Sequence, residues 1–290
     1  MGEGMRDNGQ ELKKGVSATM SMLDFPRNPL EKPNYTLIFH DDFETTELDR
    51  TKWLPYYLPQ WSSRRNAAAN YHFENSQLLL RITKDQQPWS PEFNGSVKVS
   101  NLQTGVFSGP LDSALGQHRF SPDCLVREEQ AEERLFVPQY GFFEIRARGL
   151  GTPRNVCAFW MIGFEDSPER SAEICPFELK GWNVRNGSCT LGFGIHAFGD
   201  PTIKEEFFER DFAIDPTHYH VYAADWTPEG VAFYVDNELV HRSTQSPSYP
   251  MQLMLNIYEV PTQESGNTGQ PVYPSDFVID YVRCYKHIGD

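Results

Sequence analysis

The 290-residue chain reads as an all-β protein, an antiparallel sandwich, on three observations. Apolar, β-branched and aromatic residues come in runs of strand length, and several runs alternate with polar residues. Turns rich in Pro, Gly and Asn separate the runs. Almost no stretch sustains the 3.6-residue periodicity of a helix. Sandwiches of this length are often single units, and no fixed-period repeat or linker divides the chain. We expect a tail or strap over residues 1–30 and one domain over 31–290.

Residues 1–30 are polar, contain Gly and Met, and lack periodicity. From Tyr35, "YTLIFHDDF" alternates as a strand, and "ETTELDRTKW" turns away as a loop. "QLLLRITK" follows the turn residues Glu74-Asn75-Ser76 as another strand. The segment 124–136, "CLVREEQAEERLF", is the exception. Its composition suits either a short helix or an acidic surface loop, with the charges on a solvated face. "YGFFEIRARG" alternates Phe142, Glu144 and Arg146 against Phe143, Ile145 and Ala147. "GVAFYVDNELVHR" predicts a hairpin around Asp236-Asn237, a dipeptide that accepts positive φ. "MQLMLNIYEV" and "FVIDYVRCY" close the chain as strands.

Composition excludes several function classes. A net charge of −14 and a pI near 5.0 disfavour a nucleic-acid partner, which needs clustered Lys and Arg. There is no apolar run of 18 or more residues, so no membrane-spanning helix is expected. The first residues lack a continuous apolar signal region, and Arg6 breaks a myristoylation pattern that begins at Gly2. Five scattered cysteines form no CxxC pair and suggest free, buried thiols, with a bridge between two of them left open. Sequons at Asn34, Asn94 and Asn186 are short enough to arise by chance.

The stretch "SAEICPFELKG", residues 171–181, carries the chemistry. Glu173 and Glu178 are an odd number of residues apart, so a regular strand would point them to opposite faces. Glu178 would then join the apolar side, which is costly for a carboxylate. One extra residue inserted as a bulge restores the parity, and Pro176 favours that bulge because proline cannot donate to a ladder. On that geometry two carboxyl groups share a face, as retaining glycosidases need, with a separation of about 5–5.5 Å. From spacing alone, a pair of surface glutamates on a sandwich edge is the simpler reading.

The surrounding motifs tip the balance, because they resemble glycoside hydrolase family 16. "EICPFE" is similar to the family's bulged E-[I/L]-D-x-x-E strand. "FHDDFETTELDRTKW", "YGFFEIRAR", "CAFWMIG", "HVYAADWTPEGVAFYVDNELVHR", "PMQLMLNI" and "FVIDYVRCY" resemble the family's other strands, in its order, from about Leu37 to Tyr285. The resemblance implies an antiparallel β-jelly-roll sandwich of the concanavalin A-like type, with a carbohydrate cleft on its concave face. It implies hydrolysis or transglycosylation of internal β-linkages in a polysaccharide, a β-1,3-containing glucan such as laminarin first and galactans as an alternative. By position Glu173 matches the nucleophile and Glu178 the general acid/base. It implies an extracellular monomer that needs no cofactor; the missing signal leaves a cytoplasmic location open.

Cys175 replaces the family's middle Asp. A thiol is a weak donor and removes one negative charge, so we expect a shifted pH optimum and altered activity. A Cys175→Asp variant should therefore change the pH–rate profile, and an unchanged profile would refute this account of position 175. A nucleophilic role for Cys175 is the other reading, although no His/Asn constellation accompanies it. By the same resemblance His196, in "LGFGIHAFG", would assist or orient Glu178. Trp160 and Trp182 would line the cleft, and Trp61, Arg65 and Asn66 would meet substrate. Tyr56, Tyr57, Trp89 and Tyr258 complete the aromatic reserve, while Trp53 and Trp226 read as core. A structural calcium would sit on Asp280, on Asp42 or its backbone, and on a carbonyl near Ser76. A silent glycan-binding protein on the same sandwich is the competing function, and retention of both glutamates argues against it. An intracellular structural module rests only on the missing signal.

Overall fold

The computed structural model describes residues 24–262, 266 and 268–289. In chain order its strands are β1 (Tyr35–Asp41), β2 (Tyr71–Phe73), β3 (Leu78–Ile82), β4 (Lys98–Gln103), β5 (Gly105–Val106), β6 (Glu133–Arg134), β7 (Gly141–Arg148) and β8 (Asn155–Gly163). They continue as β9 (Glu173–Arg185), β10 (Ser188–His196), β11 (Glu206–Phe212), β12 (His220–Thr227), β13 (Gly230–Val235), β14 (Glu238–Ser243), β15 (Met251–Glu259) and β16 (Ser275–His287). An eight-stranded sheet runs β14-β13-β12-β7-β16-β3-β2, with β1 also paired to β16. A six-stranded sheet runs β11-β10-β9-β8-β15-β4, and β5 pairs with β6. Every pairing is antiparallel, as the alternation of the strands predicts.

The central strands are apolar on both faces, and the structure explains why. In β8, Cys157, Phe159 and Met161 enter the core between the two sheets. Ala158, Trp160 and Ile162 point the other way, into a second cluster on the far face of the six-stranded sheet. Tyr57, Trp61, Trp89, Cys124 and Val126, from connections outside the sheets, cap that cluster. Burying a side chain of this size contributes about 1.5–3 kcal/mol. The second cluster therefore anchors the connections that wall the site described below.

The Asp236-Asn237 turn joins β13 to β14 with φ of 51° and 66°, the left-handed pair expected of a two-residue hairpin. Segment 124–136 forms no helix. Cys124 and Val126 are drawn into the second cluster, while Glu128 and Glu133 bind the Arg64 backbone N–H and guanidinium at 2.9 and 2.6 Å. The acidic-loop reading of this segment is the one the fold adopts. Of the predicted tail, residues 1–23 lie outside the described residues. Phe25 crosses the eight-stranded sheet, donating its N–H to Tyr219 and accepting from Arg146 at 2.7 Å. All five cysteines are buried and free.

The predicted calcium ligands do not fit a metal ion. Asp280 accepts from Arg146 at 2.8 Å and pairs with Arg27 at 3.0 Å. Asp42 accepts from Arg283 at 3.1 Å. Guanidinium groups hold the positions a cation would take, and they would repel it. No group of three or more acidic, His or Cys side chains suited to a metal occurs among the described residues.

Candidate active site

β9 pairs with β8 and β10 through a register shift at the quoted stretch. On the β10 side, Gly192 faces Glu178 and Gly194 faces Cys175, so three steps on β9 match two on β10. On the β8 side, Phe159 faces Phe177 and Met161 faces Ile174, again three steps against two. The extra residue lies at Cys175–Pro176, where the proline predicted it. Its effect on parity is visible in the packing: Ile174, Phe177 and Leu179 all enter the core between the sheets. Glu173, Cys175 and Glu178 are left together on the opposite face, lining one cavity of about 220 Å³.

The glycines of β10 make room for that face. At Gly192, opposite Glu178, a Cβ would lie 2.7 Å from the Phe207 ring. At Gly194, whose φ of +140° disfavours other residues, it would lie 2.2 Å from the Glu206 carbonyl oxygen. Trp160 and Tyr258 form further wall. The Trp160 indole N–H donates to Asn256, and the Tyr258 hydroxyl donates to Tyr57 at 2.9 Å. Both rings are thereby held in place.

Electrostatics raise the proton affinity of both carboxyl groups. Burial, then the Glu178 charge, then Glu205, push Glu173 well above the ordinary carboxylate range. Burial also raises Glu178, but Lys180 and His196 pull it back. Lys180 Nζ lies 3.6 Å from Glu178 and 2.6 Å from Glu209. His196 Nδ1 meets Glu205 at 2.5 Å, so that carboxylate holds the ring in place. Burial, followed by the two glutamates, raises Cys175 well above the ordinary thiol range, so it stays a thiol at neutral pH. Its Sγ approaches the Phe159 carbonyl at 3.9 Å rather than either glutamate. This setting opposes a thiolate nucleophile.

Six expected residues meet here: Glu173, Glu178, Cys175, His196, Trp160 and, from the aromatic reserve, Tyr258. Trp61 does not, because it is fully buried with its indole N–H on the Gln117 carbonyl at 2.8 Å. Arg65 and Asn66 are exposed and lie away from the cavity; Arg64, beside them, is tied to the acidic loop. Trp182 is half-buried where β9 bulges away from β10 again, and it too is absent from the cavity. Trp53 and Trp226 are core, as predicted. Sequence reasoning missed His118 and Phe198, which line the cavity from connections. No periodicity or motif marks them. Lys180 was legible in principle, two residues beyond Glu178 on a strand.

The Glycosyl hydrolases family 16 model matches residues 135–283, more than half of the chain. The chain is 24% identical over 273 residues to a protein of Niallia circulans, "Glucan endo-1,3-beta-glucosidase A1", covering 86% of this chain and 38% of that one. Among solved structures it is similar to a GlcNAcα1-4Gal-releasing endo-β-galactosidase from Clostridium perfringens, with TM-score 0.79 and 34% identity over 91% of this chain and 66% of that one. It also shares its fold with the catalytic domain of a Thermotoga petrophila laminarinase, with TM-score 0.64 and 17% identity over 88% of this chain and 99% of that one. The chain thus spans well under half of the Niallia protein and just under two thirds of the Clostridium chain.

Proposed function

The chain belongs to glycosyl hydrolases family 16, and from that premise we propose that it is a retaining endo-glycosidase acting on internal β-linkages of a polysaccharide. The observation that carries the reading is the bulge at Cys175–Pro176, which brings Glu173 and Glu178 into one cavity. Ionised Glu173 attacks the anomeric carbon while Glu178 gives its proton to the leaving oxygen, forming a glycosyl ester on Glu173. Glu178 then takes a proton from water, or from an acceptor sugar, that displaces the ester. His196, held by Glu205, orients the proton-transfer side of the site.

The resting charge balance runs against these roles. Lys180 and His196 favour the anion on Glu178, while Glu173 has no hydrogen-bond donor among the described residues. A proton is therefore held more firmly by Glu173 than the nucleophile's role requires, and substrate must favour ionisation there. A sugar hydroxyl donating to Glu173 supplies the missing donor and favours ionisation there. Cys175, which faces the Phe159 carbonyl, does not supply it.

A β-1,3-containing glucan is the substrate class we put first, supported by the glucanases among the relatives. A galactoside is the second, favoured by the 0.79 TM-score to the endo-β-galactosidase. Incubation with laminarin, lichenan, agarose and arabinogalactan separates them, with Glu173→Gln as control. Oligosaccharides should appear from one polymer with wild type and not with the variant. If no polymer yields oligosaccharides while binding persists, the silent-binder reading replaces this one.

A further inference from the structure

Two connections meet beside the carboxyl pair, and one buried tyrosine ties them together. Residues 164–172 join β8 to β9, and residues 197–205 join β10 to β11. Glu165 from the first, Phe198 from the second, and His118 line a space of about 320 Å³ between them. Tyr249, just before β15, is buried where the two connections touch. Its hydroxyl accepts the Ala172 backbone N–H at 2.8 Å and donates to Asp200 at 2.6 Å. Asp200 is also buried, and its other oxygen accepts the Thr202 backbone N–H and hydroxyl, each at 2.7 Å.

Ala172 immediately precedes Glu173. The Glu173 carboxyl group accepts no hydrogen bond among the described residues, so its backbone alone places it. Downstream, the bulge fixes that backbone. Upstream, the Ala172 carbonyl accepts the Gly163 N–H at 3.1 Å, but the reciprocal bond of a regular antiparallel pair is not made. β8 turns away at this point, because Phe164 donates to the Pro250 carbonyl at 3.0 Å. The Tyr249 hydroxyl takes the place of the carbonyl that Ala172 would otherwise meet. There is no slack here: a Cβ at Gly163 would lie 1.7 Å from the Arg170 carbonyl oxygen and 2.9 Å from the Tyr249 ring.

Only one proton arrangement suits this relay. A backbone N–H only donates and a carboxylate only accepts, so the phenol proton must point at Asp200. Burial, then the bond to Asp200, raises the affinity of Tyr249 for that proton, which keeps the hydroxyl intact in neutral solution.

Resting on the glycosidase reading, we infer that Tyr249 is a positioning residue for the nucleophile: it seats the backbone ahead of Glu173, and Asp200 sets the direction of its hydroxyl. Neither side chain lines the cavity of the carboxyl pair, so both act through Ala172 and not on the reacting atoms. Asp200 belongs to the connection that carries Phe198, so the same two side chains fix that wall of the cavity relative to the strand of the nucleophile.

The test uses the polymer that wild type cleaves. Tyr249→Phe keeps the ring and loses the acceptor; kcat should fall about 30-fold with KM within about twofold, because small displacements of a reacting group act on the chemical step. In Asp200→Asn the Thr202 N–H holds the amide oxygen, so the amide nitrogen faces Tyr249 and turns the phenol proton against the Ala172 N–H. Its kcat should fall by a similar factor. The double variant should be within about threefold of either single one, since both break one unit. Val231→Ala opens the core on the other sheet and should lower the melting temperature without moving kcat, which separates positioning from lost stability. Wild-type kcat in Tyr249→Phe and Asp200→Asn, a loss carried by KM, or losses that multiply in the double variant overturn the inference. Should Tyr249→Phe fail to fold, Asp200→Asn decides alone. Failure of the glycosidase reading looks different: wild type would cleave no polymer. The carbon-13 carboxyl resonance of Glu173, assigned by its loss in Glu173→Gln, then decides the positioning. A larger displacement in Tyr249→Phe than in Val231→Ala supports it, and an equal or absent one refutes it.

Discussion

Replacing Glu173 with alanine is expected to lower kcat/KM by more than about 10⁴-fold, some 5 kcal/mol of transition-state stabilisation, with no loss of fold. Glu178→Ala should cost about 10²–10⁴-fold on natural polymers and much less on substrates whose leaving group needs no proton. The two variants should differ most under rescue by azide. In Glu173→Ala the anion fits the space of the missing carboxylate and attacks an activated β-glycoside from that side, giving an α-glycosyl azide. In Glu178→Ala the ester on Glu173 still forms, and azide displaces it with a second inversion, giving the β-azide. NMR of the products distinguishes these outcomes. Swapped stereochemistry would exchange the two roles, an exchange to which Lys180 beside Glu178 lends a physical motive.

Deleting Pro176 is expected to abolish activity and to lower the melting temperature by more than about 10 °C, while Pro176→Ala is nearly silent in both. The bulge depends on residue count more than on proline. Deletion makes β9 regular across this stretch, so Glu178 turns toward the core while Phe177 and Leu179 leave it. Losing a buried Phe costs about 3–5 kcal/mol. An unpaired buried carboxylate adds several more, against a typical stability of about 5–15 kcal/mol. Thermal melts by circular dichroism and assays on the cleaved polymer provide the check. A deletion variant that stays folded and active would mean that the bulge does not set the alignment of the pair.

Legibility differed from residue to residue. Glu173, Glu178 and the bulge could be read from one short stretch, since strand parity and the proline rule are local properties of the chain. Trp160 and His196 were reached through motif position, and both line the cavity. Trp61, Arg65 and Asn66 lie in one connection and do not line the cavity: Trp61 is used for packing, while Arg65 and Asn66 are exposed. Trp61 anchors the second cluster, and no local signal separates that use from sugar binding. Asp42 and Asp280 were misread because calcium and arginine satisfy the same carboxylates. The arginines come from positions 27, 146 and 283, far apart in the chain.

By itself the sequence determined the all-β class, the hairpin at Asp236-Asn237, the bulged strand and the placing of Glu173 and Glu178 on one face. These follow from side-chain alternation, turn chemistry and a proline, which act over a few residues. Only the tertiary structure decided what surrounds the pair. His118, Phe198 and Glu165 come from connections between strands, converge on one cavity and are held in backbone conformations that no local preference favours. Burial set the proton affinities of Glu173, Cys175 and Glu165, and burial depends on the whole fold.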